Sequence, residues 1–392
     1  MSKTLLVLAA STYQVPAIQT AKALGYRVVT TDNVPSNPGH ALADASHAID
    51  TTDLGAILAL AERERIDGVI APGTDVAVET AAHVAERLGL PGARVQAARA
   101  LTRKRAFREL LQRAGLPCPR VLDGGASDAL PGDSRWLVKP NRSSGSKGVF
   151  IVASSAEIDA RIGESRRFSI DGDALVEELI EGTQHTCEAL LRDGRVALAL
   201  VTDRDTVAPP HTATKGHRVP SRLREASQRA AVDAIERIAR LTELDGGPLD
   251  CDFVVGDDGR VVVIELTPRL GGNSLSRLFA AALDFDLVAA AVCHACGDLV
   301  DVPAHRAPSP AAVAILGCER AGRVRWNADE ARLLACEPWL RTLLFDVAQG
   351  DAVEAFANGR HRIGEALVAG STRDEVDARL AELAKRLGVR AE

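Results

Sequence analysis

The feature that most constrains this chain is residues 250–269, where alternating and β-branched residues flank a turn signal, Asp258-Gly259. Asp-Gly between such flanks predicts a β-hairpin closed by a two-residue type I′ turn. This turn fixes the register and places Asp252 directly opposite Glu265. The same register pairs Asp250 with Thr267, Val255 with Val262, and Asp257 with Arg260. Two carboxylates are therefore predicted on one face of the hairpin.

The predicted opposition of Asp252 and Glu265 needs compensation, because like charges directly across an antiparallel pair destabilise it. Either one carboxyl keeps a proton, or a cation lies between the two. An all-oxygen pair without His or Cys beside it suits Mg²⁺ better than zinc. The alternative is a solvated edge hairpin, since a one-residue slip of register would put the carboxylates on opposite faces.

The composition of the 392-residue chain is that of a globular protein with room for two or three domains. A net charge of −6 gives no sign of a surface that binds nucleic acid. The apolar start, residues 5–10, is too short for a secretory signal, and residues 278–296 contain two aspartates that make them a poor membrane span. Seven scattered cysteines do not form a disulfide framework. We expect a cytoplasmic protein without nucleic-acid or membrane partners.

Residues 1–97 alternate strand and helix signals, which predicts a parallel α/β sheet. The first strand ends in Ala9-Ala10-Ser11-Thr12-Tyr13-Gln14 and lacks the glycines of a dinucleotide-binding turn. Asp32 is then expected to be an exposed loop residue. Strands are predicted at residues 4–9, 27–31, 47–50 and 68–71. The pattern indicates a Rossmann-like scaffold without a nicotinamide cofactor.

A helix is predicted over residues 101–114, with Thr102 as its N-cap and Gly115 and Pro117 ending it. Lys104 lies in the first turn, where a cation gains nothing from the helix dipole. This position favours contact with an anion, and a solvated lysine is the alternative. The expected apolar stripe consists of Phe107, Leu110, Leu111 and Ala114.

Residues 135–153 predict a strand at 136–140, a loop at 141–148 and a second strand at 149–152. Glycine and serine allow backbone N–H groups to curl around phosphate oxygens, while Lys139 and Lys147 supply positive charge. The spacing is not that of a Walker A loop. A hairpin without a ligand is the alternative. The small and polar part of this loop, called the phosphate loop below, is Ser143, Ser144, Gly145, Ser146, Lys147 and Gly148.

The remaining segments give coarser predictions. Residues 174–191 predict a strand, a turn and a second strand, and one of Glu177 and Glu178 must face a polar site or solvent. Residues 211–221 are expected to form a substrate-covering loop or a surface connection. An amphipathic helix is predicted at residues 223–241. From about residue 303 the chain predicts a small α/β lobe with no catalytic constellation.

Taken together, these segments resemble the ATP-grasp superfamily, which includes biotin carboxylase, D-alanine:D-alanine ligase, the purine-pathway carboxylases and the bacterial L-amino acid ligases. The two lysines, the phosphate loop, the Glu-Glu-Leu-Ile segment and the Glu-x-Thr-Pro-Arg end of the hairpin occur in the family's order over roughly residues 100–300. The resemblance implies a mixed α/β and α+β ATP-grasp fold. Its expected parts are a Rossmann-like domain at 1–97, an ATP-grasp domain at 98–302 with a lid at about 117–190, and a C-terminal lobe at 303–392.

Carried over position by position, the resemblance implies that Lys104, Lys139 and the phosphate loop hold the ATP phosphates. Asp252 and Glu265 are then ligands of Mg²⁺, with Mn²⁺ as an alternative metal, and Thr267 stands where the family has a metal-binding Asn. Water or Asn273 would complete this shell. The expected adenine and ribose contacts are Glu177, Glu178, Leu179, Ile180 and Gln184. The expected substrate contacts are Glu188, Arg269, Gly271, Gly272 and Asn273.

The implied activity is ATP-dependent ligation of a small-molecule carboxylate and an amine. The γ-phosphoryl group is transferred to the carboxylate, and the amine attacks the acylphosphate. Arg269 is expected to stabilise the oxyanion, while Lys215 or His217 holds the substrate carboxylate or moves a proton. The alternatives are a carboxylase that phosphorylates bicarbonate and a nucleotide-binding module without turnover. A nicotinamide oxidoreductase is least expected, and a homodimer is a family expectation only.

Overall fold

A parallel sheet opens the chain in the computed structural model, which describes residues 2–122, 135–208, 211–304 and 306–392. The four strands lie in the order β3-β2-β1-β4, where the elements are β1 Thr4–Leu8, α1 Val15–Ala23, β2 Arg27–Thr31, β3 Ala45–His47, α2 Leu54–Glu64, β4 Gly68–Ile70 and α3 Val78–Leu88. All pairings are parallel, which confirms the predicted start of the fold. The third strand was predicted two residues too late.

Asp32 is a structural residue of this sheet, so its predicted exposure is wrong. Only 7% of Asp32 is exposed. Its carboxylate accepts hydrogen bonds from the backbone N–H groups of Ala10 and Val34, each at 2.9 Å, and from the Asn37 amide. The turn after β1, where Ala9 has a φ of +74°, needs this acceptor for its backbone.

Two short helices, α4 Val95–Thr102 and α5 Lys104–Arg113, replace the single helix predicted at residues 101–114. Arg103 between them has an extended backbone, and the Thr102 hydroxyl donates to Ala98 O at 2.8 Å instead of capping α5. The predicted apolar stripe is buried, as expected. The break makes Lys104 the first residue of α5.

A three-stranded antiparallel sheet follows, in the order β6-β5-β7, and confirms the predicted strand, loop and strand. Its elements are β5 Trp136–Pro140, β6 Phe150–Val152, α6 Ser155–Arg167 and β7 Ala174–Glu178. Trp136, Val138 and Ile158 are fully buried between the strands and α6. The predicted lid, at about residues 117–190, includes residues 123–134, which lie outside the described part of the chain.

The remaining elements of the molecule are β8 Thr183–Arg192, β9 Arg195–Thr206, β10 Thr214–Val219, α7 Glu225–Leu241, β11 Gly246–Val255, β12 Val261–Thr267, α8 Leu275–Leu283, α9 Leu287–Ala295, β13 Ala311–Leu316, β14 Gly322–Arg325, α10 Glu330–Cys336, β15 Leu340–Phe345, β16 Ala352–Val353, β17 Gly364–Ala369, α11 Arg373–Leu387 and β18 Arg390–Ala391. Eight of these strands form the central sheet of the molecule, in the order β12-β11-β8-β9-β10-β13-β17-β15. Strands β13, β17 and β15 of the predicted C-terminal lobe thus continue the sheet that contains β11 and β12, the hairpin that carries Asp252 and Glu265 and is called the carboxylate hairpin below.

Strand β10 corrects the prediction of a substrate-covering loop at residues 211–221. It pairs antiparallel with β9 on one side and with β13 on the other, so it lies inside the sheet. Paired backbone groups on both sides hold this segment in place. The short run of polar residues concealed a strand whose inward side chains, such as His217 and Val219, are buried.

Helices cover both faces of the central sheet. On one face, α4, α5 and α7 pack against apolar residues of β8, β11 and β12. On the other face, α8 and α9 pack against β9, β10 and β13. No single described helix is long and apolar enough to span a membrane; α8 and α9 meet the length and composition criteria only as a pair bent by 113°.

The carboxylate hairpin, β11 and β12, has the predicted pairing of Asp252 with Glu265 and of Asp250 with Thr267. Its turn differs from the prediction. Gly256 pairs with Arg260 around a three-residue loop, and Gly259 takes a φ of +79°. Val255 therefore faces Val261, not Val262, and a bulge at Ile264 restores the register before Glu265.

Candidate functional site

Two adjoining cavities open on the same face of the central sheet. The first, of about 950 Å³, lies between the three-stranded sheet and the carboxylate hairpin. The second, of about 1900 Å³, lies between the N-terminal turn after β1, the hairpin and the C-terminal strands. Eight residues line both cavities: Asp75, Ser144, Gly145, Ser146, Lys147, Arg204, Asp252 and Glu265. The predicted metal carboxylates therefore lie where the cavities meet.

Lys139 lies in a buried ion cluster on the wall of the first cavity. Its ammonium bonds the carboxylate of Glu177, and Arg108 of α5 donates to the same carboxylate from Nε at 2.9 Å. Lys139 is 4% exposed, and Glu177 and Arg108 are at most 1% exposed. Burial lowers the pKa of Lys139 to about 8, against the opposing pull of Glu177. The cluster holds one more positive than negative charge beside the cavity.

This cluster engages the Glu177 side chain of the strand that was expected to face adenine. Both carboxylate oxygens of Glu177 are taken by Arg108 and Lys139, which leaves Glu177 to position Lys139. Glu178 points away, because its carboxylate pairs with Arg120 at 3.1 Å near the surface. Within the cavity the two glutamates therefore contribute mainly backbone groups. The apolar part of the lining is Leu137, Val149, Leu179, Ile180, Phe253, Val254 and Ile264, with Gln184 beside it.

The phosphate loop lies beside the start of α5. The ammonium of Lys104 donates to Ser143 O at 3.3 Å, and the backbone N–H of Lys104 donates to Asn141 O at 3.1 Å. Gly145 and Gly148 take φ values of +69° and +70°. A Cβ on Gly148 would approach Phe168 to 2.6 Å, so the loop requires glycine at this position. Burial, followed by the charge of Arg360, lowers the pKa of Lys147.

Asp252 and Glu265 have different partners. Asp252 accepts a hydrogen bond from the Thr186 hydroxyl and another from the Arg204 guanidinium, both at 2.6 Å. Among the described residues, the Glu265 carboxylate has no hydrogen-bond donor. Arg204 is thus the cation that compensates the opposed carboxylates in this structure.

The two carboxylates suit Mg²⁺ because they supply only oxygen ligands at the junction of the cavities. Glu265 is available, and Asp252 becomes fully available once Arg204 leaves it. The third expected ligand is less suitable. Thr267 is 1% exposed, lines neither cavity and carries a hydroxyl with no partner in the described chain. Asn273, the expected alternative, lines the second cavity.

Arg269 is fixed at the edge of the second cavity by two carboxylates. Its Nε donates to Asp75 at 2.8 Å, its Nη1 bonds Asp250, and Nη2 also bonds Asp75. Nη1 additionally donates to Leu270 O at 3.1 Å, which leaves one Nη2 hydrogen for a ligand. The guanidinium is therefore rigid and largely neutralised.

The other expected substrate contacts divide into two groups. Gly272 and Asn273 line the second cavity beside Arg269. Gly271 and Glu188 lie beneath it, where Gly271 N–H donates to Glu188 at 2.8 Å. A Cβ on Gly271 would come within 2.3 Å of the other Glu188 oxygen. Burial, together with the nearby Asp250, raises the pKa of Glu188 well above its usual range. Glu188 thus supports the turn after β12 rather than touching a ligand.

Lys215 and His217, the expected loop residues, lie on β10 with different surroundings. Lys215 is exposed and lines neither cavity, so nothing in its position supports catalysis. His217 lines the second cavity but is 1% exposed, and burial lowers its pKa to about 3. Its Nδ1 lies 3.0 Å from the Thr202 hydroxyl, which itself donates to Thr186 O. His217 is a neutral imidazole and does not attract a carboxylate by charge.

The C-terminal segment, in which no catalytic constellation was predicted, contributes residues to the lining of the second cavity. Arg362 stacks 4.9 Å from the Tyr13 ring and is paired with Asp346 and Glu365. Arg360 is exposed and has no ion pair in the described chain. Gly359 N–H donates to Gly145 O at 3.2 Å, which joins this segment to the phosphate loop.

Comparison with known proteins identifies the family. Residues 18–92 match the ATP-grasp N-terminal domain, and residues 134–277 match the ATP-grasp domain. The chain belongs to the ATP-grasp superfamily. Its fold also resembles that of an L-amino acid ligase from Bacillus licheniformis, with a TM-score of 0.82, 18% identity and coverage of 99% of this chain and 98% of that one.

Two curated relatives add sequence similarity to the ATP-grasp match. A formate-dependent phosphoribosylglycinamide formyltransferase of Burkholderia lata is 29% identical over 378 residues, which is 91% of this chain and 88% of that protein. The uncharacterised protein y4rH of Sinorhizobium fredii is 28% identical over 256 residues, which is 61% of this chain. The match covers 52% of y4rH, so this chain spans about half the length of that relative.

Several residues that line the candidate site were not found from the sequence. Asp75, Arg204 and Arg360 reach the site from three distant parts of the chain. Arg204 carried a signal, since it follows an apolar strand run within the charged segment Asp203-Arg204-Asp205. Asp75 and Arg360 carried no local signal, because only the folding of the N-terminal and C-terminal segments brings them to the hairpin.

Proposed function

We propose that this ATP-grasp chain is an ATP-dependent ligase that activates a small carboxylate as an acylphosphate and joins it to an amine. The observation that carries the proposal is the shared wall of the two cavities at Asp252 and Glu265. A nucleotide in the first cavity would present its terminal phosphate at this wall. A carboxylate in the second cavity would reach the same wall from the other side.

The first cavity has the lining that a nucleoside triphosphate requires. Leu179 and Ile180 belong to the apolar end, which suits a purine, and Gln184 offers an amide to a ribose hydroxyl. Lys104, Lys139 and Lys147 gather at the other end, where we place the phosphates.

Asp252 and Glu265 would hold Mg²⁺, or Mn²⁺ in its place, and the metal would supply positive charge that offsets the charge of the phosphates. The residues of the chain have the tasks of orientation and exclusion of water. Lys139, held by Glu177, and Lys147 of the phosphate loop would face the transferred phosphoryl group. Arg269 would present its remaining Nη2 hydrogen to the oxygen that becomes negative during amine attack.

The proposed reaction has two steps. A carboxylate oxygen attacks the γ-phosphorus, the bond to the β-phosphate oxygen breaks, and ADP leaves. The amine nitrogen then attacks the acyl carbon, and phosphate leaves with the carboxylate oxygen. The products are an amide, ADP, phosphate and a proton. His217, neutral and buried, has one ring nitrogen without a partner in the described chain, and we propose that it accepts a hydrogen bond from the amine.

The names of the relatives agree with this reaction class. Formate is a small carboxylate, and phosphoribosylglycinamide carries an amine. The chain also shares its fold with an L-amino acid ligase of similar length. We therefore include formate with phosphoribosylglycinamide, and pooled amino acids, among the first substrates to test.

ADP release from the purified protein with Mg-ATP and pooled carboxylates and amines tests the proposal. Stimulation by a pool, lost in Glu265→Gln by at least about 100-fold, would support the ligase. Glu164→Gln, at a surface ion pair with Arg161, is the matched control and should retain the stimulation. Nucleotide binding without stimulation by any pool except bicarbonate would indicate a carboxylase, and binding without any turnover would indicate a nucleotide-binding module.

A further inference from the structure

Arg204 of β9 is bound to a carboxylate that the proposed function assigns to a metal ion. Its Nη1 donates to Asp252 at 2.6 Å, and its Nε donates to the Thr214 hydroxyl at 2.9 Å. The other Asp252 oxygen already accepts from Thr186. Both oxygens of Asp252 are thus occupied by hydrogen-bond donors from the protein. A cation cannot take the Arg204-bound oxygen until the guanidinium moves.

Arg204 also lies where an anion would arrive. It is one of the few residues that line both cavities, and it does so beside Lys147 and Glu265. Its side chain is 16% exposed and that of Asp252 is 28% exposed, so the pair is accessible from the junction. Guanidinium has five N–H donors in a planar fork that matches phosphate oxygens. Two of those donors are used here.

We propose that Arg204 is a switch residue that compensates Asp252 in the metal-free protein and moves to the transferred phosphoryl group when a divalent cation binds. This inference rests on the proposed function. The Thr214 bond to Nε gives the guanidinium a fixed pivot on the neighbouring strand, so only its outer nitrogens need to change partner. Cation and arginine compete for one Asp252 oxygen, and nucleotide phosphate removes that competition.

The exchange has a thermodynamic consequence. Without nucleotide, metal binding must break the Arg204–Asp252 pair and leave a partly buried guanidinium without an anion. With nucleotide, the released guanidinium gains a phosphate, so metal and nucleotide bind cooperatively. Removing Arg204 should therefore strengthen the binding of metal alone and reduce the cooperativity between metal and nucleotide.

Manganese binding measured by electron paramagnetic resonance tests this prediction. Wild-type protein should bind Mn²⁺ weakly alone and more tightly with the non-hydrolysable ATP analogue AMPPNP, which retains a γ-phosphoryl group. Arg204→Met should bind Mn²⁺ alone about tenfold more tightly, with a similar loss of the AMPPNP effect. Misfolding does not explain a gain of affinity, and Arg204→Gln serves as the second variant. A separate measurement should show phosphoryl transfer reduced by about 100-fold.

Arg218→Met is the matched control. Arg218 pairs with Asp205 at 2.8 Å on the same two strands. These residues directly follow His217 and Arg204, which line the second cavity, so their side chains lie on the opposite face of the sheet. This variant should leave Mn²⁺ binding unchanged. Unchanged Mn²⁺ affinity in Arg204→Met, or an equal shift in Arg218→Met, would overturn the switch while leaving the ligase proposal intact. A shifted affinity without substrate-stimulated ADP release would instead overturn the ligase.

Discussion

Two buried ion clusters in this molecule have opposite charge balances. The cluster beside the first cavity consists of Arg108, Lys139 and Glu177, with two cations for one carboxylate. The cluster beside the second cavity consists of Asp75, Asp250 and Arg269, with two carboxylates for one cation. Burial lowers the pKa of Lys139 in the first cluster and raises the pKa of Asp250 in the second. Each cluster has a surplus charge that is costly to bury alone.

The difference indicates what each cluster does. A surplus cation beside the phosphate loop attracts an anion, which agrees with a nucleotide phosphate. The carboxylates of Asp75 and Asp250 already neutralise the charge of Arg269. Arg269 therefore positions the turn after β12 and has only one N–H left to donate to a ligand. Among the described residues that line the second cavity, Arg360 of the C-terminal segment is an exposed cation without an ion pair.

The largest loss of stability is expected when the single oppositely charged residue of a cluster is replaced, which is Glu177 in the first cluster and Arg269 in the second. Glu177→Gln leaves two buried cations, and Arg269→Met leaves two buried carboxylates. Each variant should lower the free energy of unfolding by about 3–5 kcal/mol, measured by urea denaturation. Glu178→Gln, which removes a surface partner of Arg120, should change stability by less than about 1 kcal/mol. Equal effects for the adjacent glutamates would contradict the assignment of Glu177 to a buried cluster.

A smaller effect is expected when one of the two like charges is removed. Arg108→Met leaves a neutral Lys139–Glu177 pair, and Asp75→Asn leaves a neutral Arg269–Asp250 pair. Each should cost about 1.5–3 kcal/mol, the value of a hydrogen bond to a charged group. The same urea experiment gives the comparison. A larger loss of stability in Arg108→Met than in Glu177→Gln would show that charge balance does not determine the stability of the first cluster. Asp75→Asn and Arg269→Met give the same comparison for the second cluster.

Gly271→Ala tests the support beneath the second cavity. The added Cβ would lie 2.3 Å from Glu188, so the turn carrying Gly272 and Asn273 must shift. Overpacking of this kind costs about 1–3 kcal/mol. We expect substrate-stimulated ADP release to fall while nucleotide affinity, measured by calorimetry, is retained. Gly163→Ala, where a Cβ meets nothing within 4 Å, is the control. Weakened nucleotide binding in Gly271→Ala would show that the two cavities are not separable.

The smallest effect is a pH dependence of nucleotide affinity. The pKa of Lys139 is lowered to about 8 without ligand, and a bound phosphate raises it. Nucleotide binding above pH 8 therefore takes up a proton, and affinity should fall by up to about tenfold per pH unit. Calorimetric titrations between pH 7 and 9.5 measure this slope. The Lys139→Met variant should bind nucleotide more weakly, and its affinity should depend less on pH than that of the wild-type protein. An unaltered pH dependence in this variant would show that Lys139 does not titrate in this range.

The sequence predicted those parts of the site that depend on neighbouring residues. The opposition of Asp252 and Glu265 was correct although its stated turn was not, because the extra turn residue near Gly259 is offset by the bulge at Ile264. The two irregularities cancel, so both carboxylates return to one face. The alternation of side chains along a strand does not predict that an extra turn residue and a bulge will offset each other. The loop at residues 141–148 was predicted correctly because its glycines and serines lie between two segments with strand signals.

The rest of the site depends on contacts that local patterns do not contain. Asp75 meets Arg269 across 194 residues, and Arg108 meets Glu177 across 69. Strand β10 was missed because its polar residues Thr214 and His217 line a cavity and Arg218 pairs with a carboxylate. Partner choice for buried charges is decided by tertiary packing, and a sequence read segment by segment does not reveal it.

The central claim is that a carboxylate in the second cavity accepts the phosphoryl group at the shared wall. Once a stimulating carboxylate is identified, that substrate labelled with ¹⁸O in its carboxyl group tests the claim directly. The account predicts one ¹⁸O atom in the released phosphate, detected by mass spectrometry, because the carboxylate oxygen leaves with phosphorus. Unlabelled phosphate, or label in AMP, would contradict it.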